Sequence, residues 1–299
     1  MGIVLKLAKC LVAVANLAAL FLQPALAGES PFGWIYTADV QPPGTRQFQQ
    51  WIDVQTKQTQ GDYTNVRLRS EIEFGITSKY QTGIYLNSRY INANQNQLDG
   101  TSAGPNTDIP DTFDRTSRYK LTRVESVSWE NIYQIFNPLV DPFGLALYVE
   151  PSWGPRNKEV EFKLILQKNF LDDRLIWATN LVTSLENNKR GSTVERSTDL
   201  DILTGLSYRF ANSWSAGLEL RNHREFTGYG YKIANHSAWF LGPNLHYATK
   251  NWWVTVAWRQ QLPVAVGFSD DQRNVISGKR IYGDEHTLNQ FMLKVGVPF

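Results

Sequence analysis

Apolar and polar side chains alternate along most of this chain, and the alternation is clearest in two segments. In Val66–Phe74, charged residues occupy every odd position from 67 to 73. In Phe291–Phe299, apolar residues occupy every odd position up to the C-terminus. Alternation with a period of two gives a β-strand one apolar and one polar face. The pattern therefore predicts amphipathic strands rather than helices in these segments.

Twelve such segments follow one another from about residue 45 to the C-terminus. They are predicted at about 45–58, 63–76, 80–91, 121–136, 144–154, 158–169, 174–186, 195–210, 214–223, 236–247, 252–261 and 286–299. The connections after every second strand are tight, whereas three of the alternate connections, 92–120, 224–235 and 262–285, are long and polar. An even strand number with short periplasmic turns and longer outer loops is typical of bacterial outer-membrane barrels.

Aromatic residues support a membrane location, because rings with a polar edge favour the interface between lipid and water. The residues predicted to form this membrane girdle are Tyr80, Tyr90, Trp153, Trp177, Trp214, Trp239, Trp252, Trp258 and Phe299. Tyr80 and Tyr90 share a face and lie ten residues apart. In a tilted strand this spacing spans roughly 23 Å along the membrane normal, close to the ~25 Å apolar band of a barrel.

The fold class expected from these patterns is all-β, a transmembrane antiparallel up-and-down β-barrel with twelve strands. Beyond the N-terminal apolar run, no segment reaches the roughly 18 uncharged apolar residues that a membrane helix needs. A membrane protein without such helices must close its sheet, because lipid cannot satisfy an open edge. A periplasmic β-sandwich or a lipocalin-like protein is the alternative fold.

The two chain ends predict export to the outer membrane of a Gram-negative bacterium. Lys6 and Lys9 precede an apolar run at 11–22, and Ala25-Leu26-Ala27 follows it. This order predicts a cleaved signal peptide over residues 1–27. The terminal strand that ends on Phe299 resembles the C-terminal signature of outer-membrane barrels, which implies recognition by the barrel-assembly machinery.

The signal peptide divides the chain into three predicted parts. After residues 1–27, residues 28–44 precede the first strand and are predicted to be a periplasmic or lumen-entering segment. Residues 45–299 then form the barrel. No linker or internal repeat beyond the hairpin period indicates a second domain.

Charge and cysteine content exclude several function classes. The 30 Lys and Arg residues against 28 Asp and Glu give +2, and loss of Lys6 and Lys9 with the signal peptide leaves 28 against 28. A net charge of zero does not favour nucleic acid as a partner. The single cysteine, Cys10, lies in the predicted signal peptide, so the mature chain has neither disulfides nor thiolate metal ligands. No cofactor is expected.

The polar faces of the strands predict a charged barrel interior. The residues assigned to line the lumen are Arg67, Arg69, Glu71, Glu73, Arg89, Glu150, Glu159, Glu161, Lys163, Glu186, Asp199, Asp201, Arg209, Glu219, Arg221, Arg259 and Lys294. One interpretation is a network of salt bridges that satisfies a narrow, hydrated interior. The other is a lining that selects which solute passes. Both can hold together.

A catalytic or metal site is not predicted. His223, His236 and His286 are expected at the outer rim, where histidines are usually polar loop residues. Adjacent strand residues point to opposite faces, so Ser237 cannot present its hydroxyl to His236. The serine and histidine spacing of outer-membrane phospholipases is absent as well.

Several pieces of the chain resemble a known family. They are Ser30–Trp34, Pro42–Gly44, Asp141–Tyr148 and Gln167–Leu175. Together these pieces make the chain similar to a family of uncharacterised proteobacterial outer-membrane β-barrel proteins, a domain of unknown function with no assigned activity. The resemblance implies fold and location, and it carries no activity.

Three functions remain open on this evidence. The first is a passive or substrate-preferring channel for small polar solutes. The second is an outer-membrane enzyme that acts on lipid or lipopolysaccharide with rim groups such as His223, His286 and Asp284. The third is a closed structural or surface-interaction barrel. Outer-membrane lipid and lipopolysaccharide are the expected surroundings, and uniformly apolar lipid-facing positions favour a monomer. The sequence leaves open whether the 92–120 loop blocks the lumen.

Overall fold

The computed structural model describes residues 30–95, 117–190, 193–282 and 286–299. Twelve long strands form one closed antiparallel barrel in this part of the chain. The barrel strands are β1 Arg46–Thr56, β2 Asp62–Thr77, β3 Tyr80–Asn94, β4 Tyr119–Phe136, β5 Gly144–Trp153, β6 Asn157–Phe170, β7 Leu175–Arg190, β8 Thr193–Ala211, β9 Trp214–Thr227, β10 Ala234–Ala248, β11 Trp253–Gln261 and β12 Asn289–Pro298. Each strand pairs with its neighbours in sequence, and β12 pairs with β1 to close the barrel. The predicted all-β, twelve-stranded fold is confirmed.

The connections differ between the two ends of the barrel. Short turns follow β2, β4, β6, β8 and β10 at one end of the barrel. The first residue of β1 and the last residue of β12 also lie at this end, which is called the turn end. The opposite end carries the long 95–118 and 262–288 connections, together with short ones such as 57–61 and 154–156, and is called the loop end. Residues 1–27, predicted to be a signal peptide, and most of the 92–120 loop lie outside the described residues.

The outer face of the barrel is apolar. On β3, Ile84 and Leu86 are 55% and 45% exposed, whereas Tyr85 between them is 1% exposed. Other large apolar side chains exposed on the strands include Ile72, Val127, Leu147, Phe162, Leu181, Leu206, Leu218, Leu245, Val256 and Phe291. A continuous apolar surface of this extent is unfavourable in water and suits contact with lipid. Among the described residues, no helix has the length and apolar character needed to cross a bilayer.

A β-bulge interrupts the alternation in β4. Asn87 of β3 pairs with Ser126, and the next residue, Ser88, pairs with Val124. Glu125 is therefore an extra residue in β4, and a bulge of this kind re-aims the side chains on either side of it. Because of the bulge, Arg123, Glu125 and Ser126 all border the barrel interior.

Residues 30–41 lie inside the barrel at the turn end and are called the N-terminal plug. Phe32, Ile35 and Ala38 of the plug are fully buried. Phe32 and Ile35 pack against an apolar cluster from β7 and β8 that includes Ala178 and Leu203. Burial of these side chains stabilises the plug inside the lumen.

The connection between β11 and β12, residues 262–288, contains structure of its own. A short strand, Val266–Gly267, pairs with β10. It is followed by a one-turn helix, Asp270–Asn274, capped by the Ser269 side chain. A small hairpin of Ile276–Ser277 and Arg280–Ile281 follows the helix.

This connection folds inward over the loop end. Val275 and Ile281 pack against Ala238 and Phe240 of β10. The Gln261 side chain donates a hydrogen bond to the carbonyl of Ile281 at 2.8 Å. The described part of the 262–288 connection therefore narrows the loop end of the lumen, and the 92–120 loop considered from the sequence lies mostly outside the described residues.

Candidate functional site

A cavity of about 850 Å³ occupies the barrel interior between the plug and the loop end. Trp34 and Tyr36 of the plug border it on the side of the turn end, and Asn235 and His286 border it at the loop end. Ten of its lining residues are Asp or Glu and nine are Arg or Lys. The net charge of the lining is therefore close to zero. Any effect of these charges on a solute depends on where they lie around the lumen.

Arginines form one row across three strands. In the strand register, Arg67 of β2 lies opposite Arg89 of β3, and Arg89 lies opposite Arg123 of β4. All three border the cavity. The bulge residue Glu125 lies beside this row, with its Oε1 atom 2.5 Å from Arg123 Nε and 3.8 Å from Arg89 Nε. The row forms a basic wall on β2–β4.

Carboxylates are paired in the same way on the strands β5–β9. The register places Glu150 opposite Glu161, Glu159 opposite Glu186, and Asp199 opposite Glu225. All six border the cavity. Like charges directly opposite each other destabilise a sheet. The barrel therefore keeps an acidic wall at some expense of stability.

Ion pairs join opposite charges both across the two walls and within the acidic wall itself. They are Arg69 with Glu150 at 3.5 Å, Lys163 with Glu161 at 2.7 Å, and Arg221 with Asp201 at 2.6 Å. All six of these residues were assigned to the lumen from the sequence, and they border the cavity. The interior therefore combines ion pairing with separated charge.

The backbone of the plug is held by side chains from many strands. Glu219 of β9 accepts hydrogen bonds from the backbone N–H groups of Gly33 at 2.6 Å and Trp34 at 2.9 Å. Asn180 of β7 both accepts from the N–H of Tyr36 and donates to its carbonyl, at 2.7 and 2.9 Å. Further hydrogen bonds to plug backbone come from Gln81, Gln134, Gln167 and Lys294. Polar side chains of several strands thus hold the plug in place through hydrogen bonds to its backbone.

Cationic groups surround the Tyr36 side chain at the inner tip of the plug. Arg69 donates to the Tyr36 hydroxyl at 3.3 Å, and Lys163 Nζ lies 4.1 Å from the centre of the ring. Burial, reinforced by the charge of Glu130, raises the pKa of the Tyr36 phenol well above its ordinary value. The phenol therefore stays neutral.

A second plug residue is also affected by burial. Desolvation raises the pKa of the Asp39 carboxyl, although the side chain of Gln167 hydrogen-bonds to it at 3.1 Å and opposes the shift. Proton loss from Asp39 is thus disfavoured while the plug is docked.

Arg259 also borders the large cavity, whereas five other residues assigned to the lumen lie away from it. Glu71, Glu73, Glu219 and Lys294 are buried, with exposures of 1% to 5%. Arg209 is exposed at the turn end, beside a smaller cavity of about 180 Å³. Alternation predicts only which face of a strand carries these side chains, and it does not indicate their depth along the barrel.

Two inward carboxylates of β4 are not among the residues predicted to line the lumen. Glu130 is fully buried and accepts a hydrogen bond from the Tyr85 hydroxyl. Glu125 borders the cavity at the bulge. A strict period of two cannot assign both residues to one face, because they are separated by an odd number of positions.

The aromatic residues assigned to the girdle lie at two levels. Tyr80, Trp177, Trp214, Trp252 and Phe299 are at the turn-end limits of their strands, and Tyr90, Trp153, Trp239 and Trp258 are toward the loop end. The exposed fraction is largest for Trp153, at 53%. Some of the indole N–H groups form hydrogen bonds with neighbouring strands. Trp177 Nε1, for example, donates a hydrogen bond to Thr204 Oγ1 at 3.0 Å.

Three histidines that the sequence left as separate rim residues come together at the loop end. The ring centres of His223, His236 and His286 are 4.6 to 5.5 Å apart. No local sequence pattern predicts this cluster, because His286 is far from His223 and His236 along the chain. Asp284, the acidic partner considered for an enzyme, lies outside the described residues.

The fold resembles solved outer-membrane barrels. One is the COG4313 outer membrane channel from Pseudomonas putida F1, with a TM-score of 0.58 and 11% identity over 91% of this chain and 100% of that chain. Another is the translocator domain of the autotransporter NalP from Neisseria meningitidis, with a TM-score of 0.50 and 11% identity over 88% and 90%. A third is the β domain of the Bordetella autotransporter BrkA, with a TM-score of 0.50 and 13% identity over 86% and 100%. At these identities the likeness shows the outer-membrane barrel fold alone.

Sequence comparison adds the family. No curated protein sequence matches this chain. A family model described as a family of unknown function, DUF6662, matches residues 24–299, which is nearly the whole chain. The expected resemblance to an uncharacterised outer-membrane barrel family is confirmed, and the chain belongs to the DUF6662 family.

Proposed function

We propose that this protein is a passive or substrate-preferring channel for small polar solutes in a Gram-negative outer membrane. It reaches this membrane after cleavage of the signal peptide, and the barrel-assembly machinery inserts it through the C-terminal strand. The surrounding lipid and lipopolysaccharide contact its apolar outer face, and it works as a monomer. The charge-separated cavity carries the proposal.

The separation of charge has a cost that the fold does not require. Opposite charges could alternate around the lumen and pair, as they do in Arg221 and Asp201. Instead, arginines neighbour arginines on β2–β4, and carboxylates neighbour carboxylates on β5–β9. Two facing walls of opposite sign create a field across the lumen, which orients a polar solute and tunes which solutes pass. Stability of the barrel alone does not require charges that are separated in this way.

The plug makes the channel selective rather than freely open. It fills the turn end of the lumen and is held there by apolar packing and by hydrogen bonds from several strands. A solute that enters the cavity from the loop end must pass or displace this segment. We therefore expect the native protein to conduct weakly and the plug to limit the conductance.

Single-channel recording in a planar bilayer tests both parts of the proposal. We expect the refolded protein to give discrete ohmic steps, and a variant lacking residues 30–41 to give larger ones. Heat-modifiable migration on a gel identifies the folded barrel in each sample. If neither form conducts although both are folded, the channel proposal is wrong and a closed barrel replaces it.

The enzyme alternative has weaker support. His223 is oriented by Asp201, with His223 Nδ1 at 2.8 Å from Asp201 Oδ1. However, no serine or threonine hydroxyl hydrogen-bonds to His223 or His236 within the described ranges. A histidine oriented by a carboxylate without a nucleophile supports metal binding better than acyl transfer.

A further inference from the structure

Three imidazoles from three separate elements meet beside the outer mouth of the cavity. His223 comes from β9, His236 from β10 and His286 from the 262–288 connection. One ring nitrogen of each lies within 4.8 Å of those of the other two. His223 and His286 border the cavity, and His236 is fully buried behind them. A cation in the lumen can therefore reach the cluster.

The hydrogen bonds of two of these rings orient them as ligands. His223 Nδ1 lies 2.8 Å from Asp201 Oδ1, and His236 Nδ1 lies 3.0 Å from Gln272 Oε1. With the Nδ1–H donating to an oxygen, Nε2 carries the lone pair. Metal-binding histidines show this arrangement, because the outer hydrogen bond fixes both tautomer and ring orientation.

His236 provides a second, independent observation. Its Nε2 atom is buried and makes no hydrogen bond with the described residues. An unpaired polar atom in a buried position carries a cost of roughly 1–3 kcal/mol. A metal ion bound at Nε2 would remove that cost.

We propose that His223, His236 and His286 form a binding site for a borderline divalent transition-metal cation, with Zn²⁺ as the reference ion. Neutral imidazole suits Zn²⁺, Cu²⁺ and Ni²⁺, whereas Ca²⁺ and Mg²⁺ select oxygen ligands. In a tetrahedral Zn²⁺ site, bonds of about 2.1 Å place the nitrogens roughly 3.4 Å apart. Because the ring nitrogens already lie within 4.8 Å of one another, they need to approach by at most about 1.4 Å, and the cavity leaves a fourth position for water.

The surrounding charges are compatible with a cation. Arg221 lies 3.0 Å from His223 Nδ1, but its stronger contact is with Asp201 Oδ2 at 2.6 Å. Asp201 thus offsets the arginine while it orients the histidine. Glu225, opposite His236 in the register, also borders the cavity and adds negative charge nearby.

The site joins the barrel wall to the 262–288 connection. His286 belongs to this connection, and Gln272 on its helix contacts His236. Bound metal therefore cross-links the connection to β9 and β10 in the inward position. Metal binding should raise the thermal stability of the folded barrel as well as occupy the site, because the ion binds the folded state only.

Calorimetric titration of untagged, chelator-treated protein in detergent tests the site, with Zn²⁺ as the probe and Ca²⁺ as the control ion. We expect one equivalent of Zn²⁺ to bind and Ca²⁺ not to bind. His236→Gln and His286→Gln should each weaken Zn²⁺ binding at least about 100-fold, and Gln272→Ala about 10-fold. His246→Gln is the matched control, because His246 lies on the turn-end part of β10 and contacts Thr255 instead.

Two results would overturn the proposal. One is a folded native protein that does not bind Zn²⁺, and the other is equal binding by the native protein and the two ligand variants. His286→Cys separates ligand loss from misfolding, since a thiolate can replace the imidazole and should retain Zn²⁺. The titration does not depend on conductance, so its result tests the metal site separately from the channel proposal.

Discussion

At the scale of single residues, Glu219 has the most consequential position in the lumen. It is 3% exposed, and its two carboxylate oxygens accept hydrogen bonds from consecutive N–H groups of the plug, those of Gly33 and Trp34. Asn244 of β10 also donates to it at 2.8 Å. A carboxylate that accepts from several N–H groups forms charge-assisted hydrogen bonds, which are stronger than neutral ones. One side chain on β9 thus links the plug to the barrel wall.

Glu219→Gln should loosen the plug without unfolding the barrel. An amide offers one acceptor oxygen in place of two, so at least one plug N–H loses its partner, at about 1–3 kcal/mol. We expect a larger or more frequent open state in single-channel recordings and faster protease cleavage near residue 33. Glu159→Gln, which removes a cavity carboxylate from β6 without touching the plug, is the control. Identical behaviour of the two variants would show that Glu219 does not hold the plug.

At the scale of elements, the strands could be predicted and their interior contacts could not. Alternation is a local property, and it located all twelve strands to within a few residues, with the largest difference at β7 and β9, which each extend four residues further at the loop end. The bulge at Glu125 depends on pairing between β3 and β4, so a single strand does not reveal it. The docking of the plug depends on side chains from six or more strands, and the histidine cluster depends on the path of the 262–288 connection. Both arise from contacts between residues far apart in sequence.

The two charged walls predict opposite effects on ion selectivity. Replacing both Glu159 and Glu186 by glutamine should shift the reversal potential in a salt gradient toward anions. Arg89→Gln should shift it toward cations. The shifts should be largest at low salt, because at about 0.1 M the Debye length is only ~10 Å. Reversal potentials that do not move, or that move in the same direction for both variants, would contradict a lining that acts on solutes.

At the scale of the whole molecule, each strand has an apolar side on the outer face of the barrel and a polar side on the inner face. Residues such as Leu206 and Leu218 are about half exposed, although each lies next to buried polar side chains. In water, an apolar belt around the whole barrel would favour aggregation. In lipid, the same belt contacts the hydrocarbon, and the barrel wall separates the interior charges from it.

A charge on the outer face therefore distinguishes a membrane barrel from a soluble one. Leu218 is 50% exposed and lies on β9 between Trp214 at the turn end and the loop-end residues. In lipid vesicles, Leu218→Arg should lower the free energy of unfolding by about 2–4 kcal/mol, as expected for arginine near the middle of the bilayer. Tyr229→Arg, in the exposed β9–β10 connection, should change it by less than about 1 kcal/mol. Reversible urea unfolding followed by tryptophan fluorescence measures both variants, and if Leu218→Arg were as stable as the native protein, this face would not contact lipid.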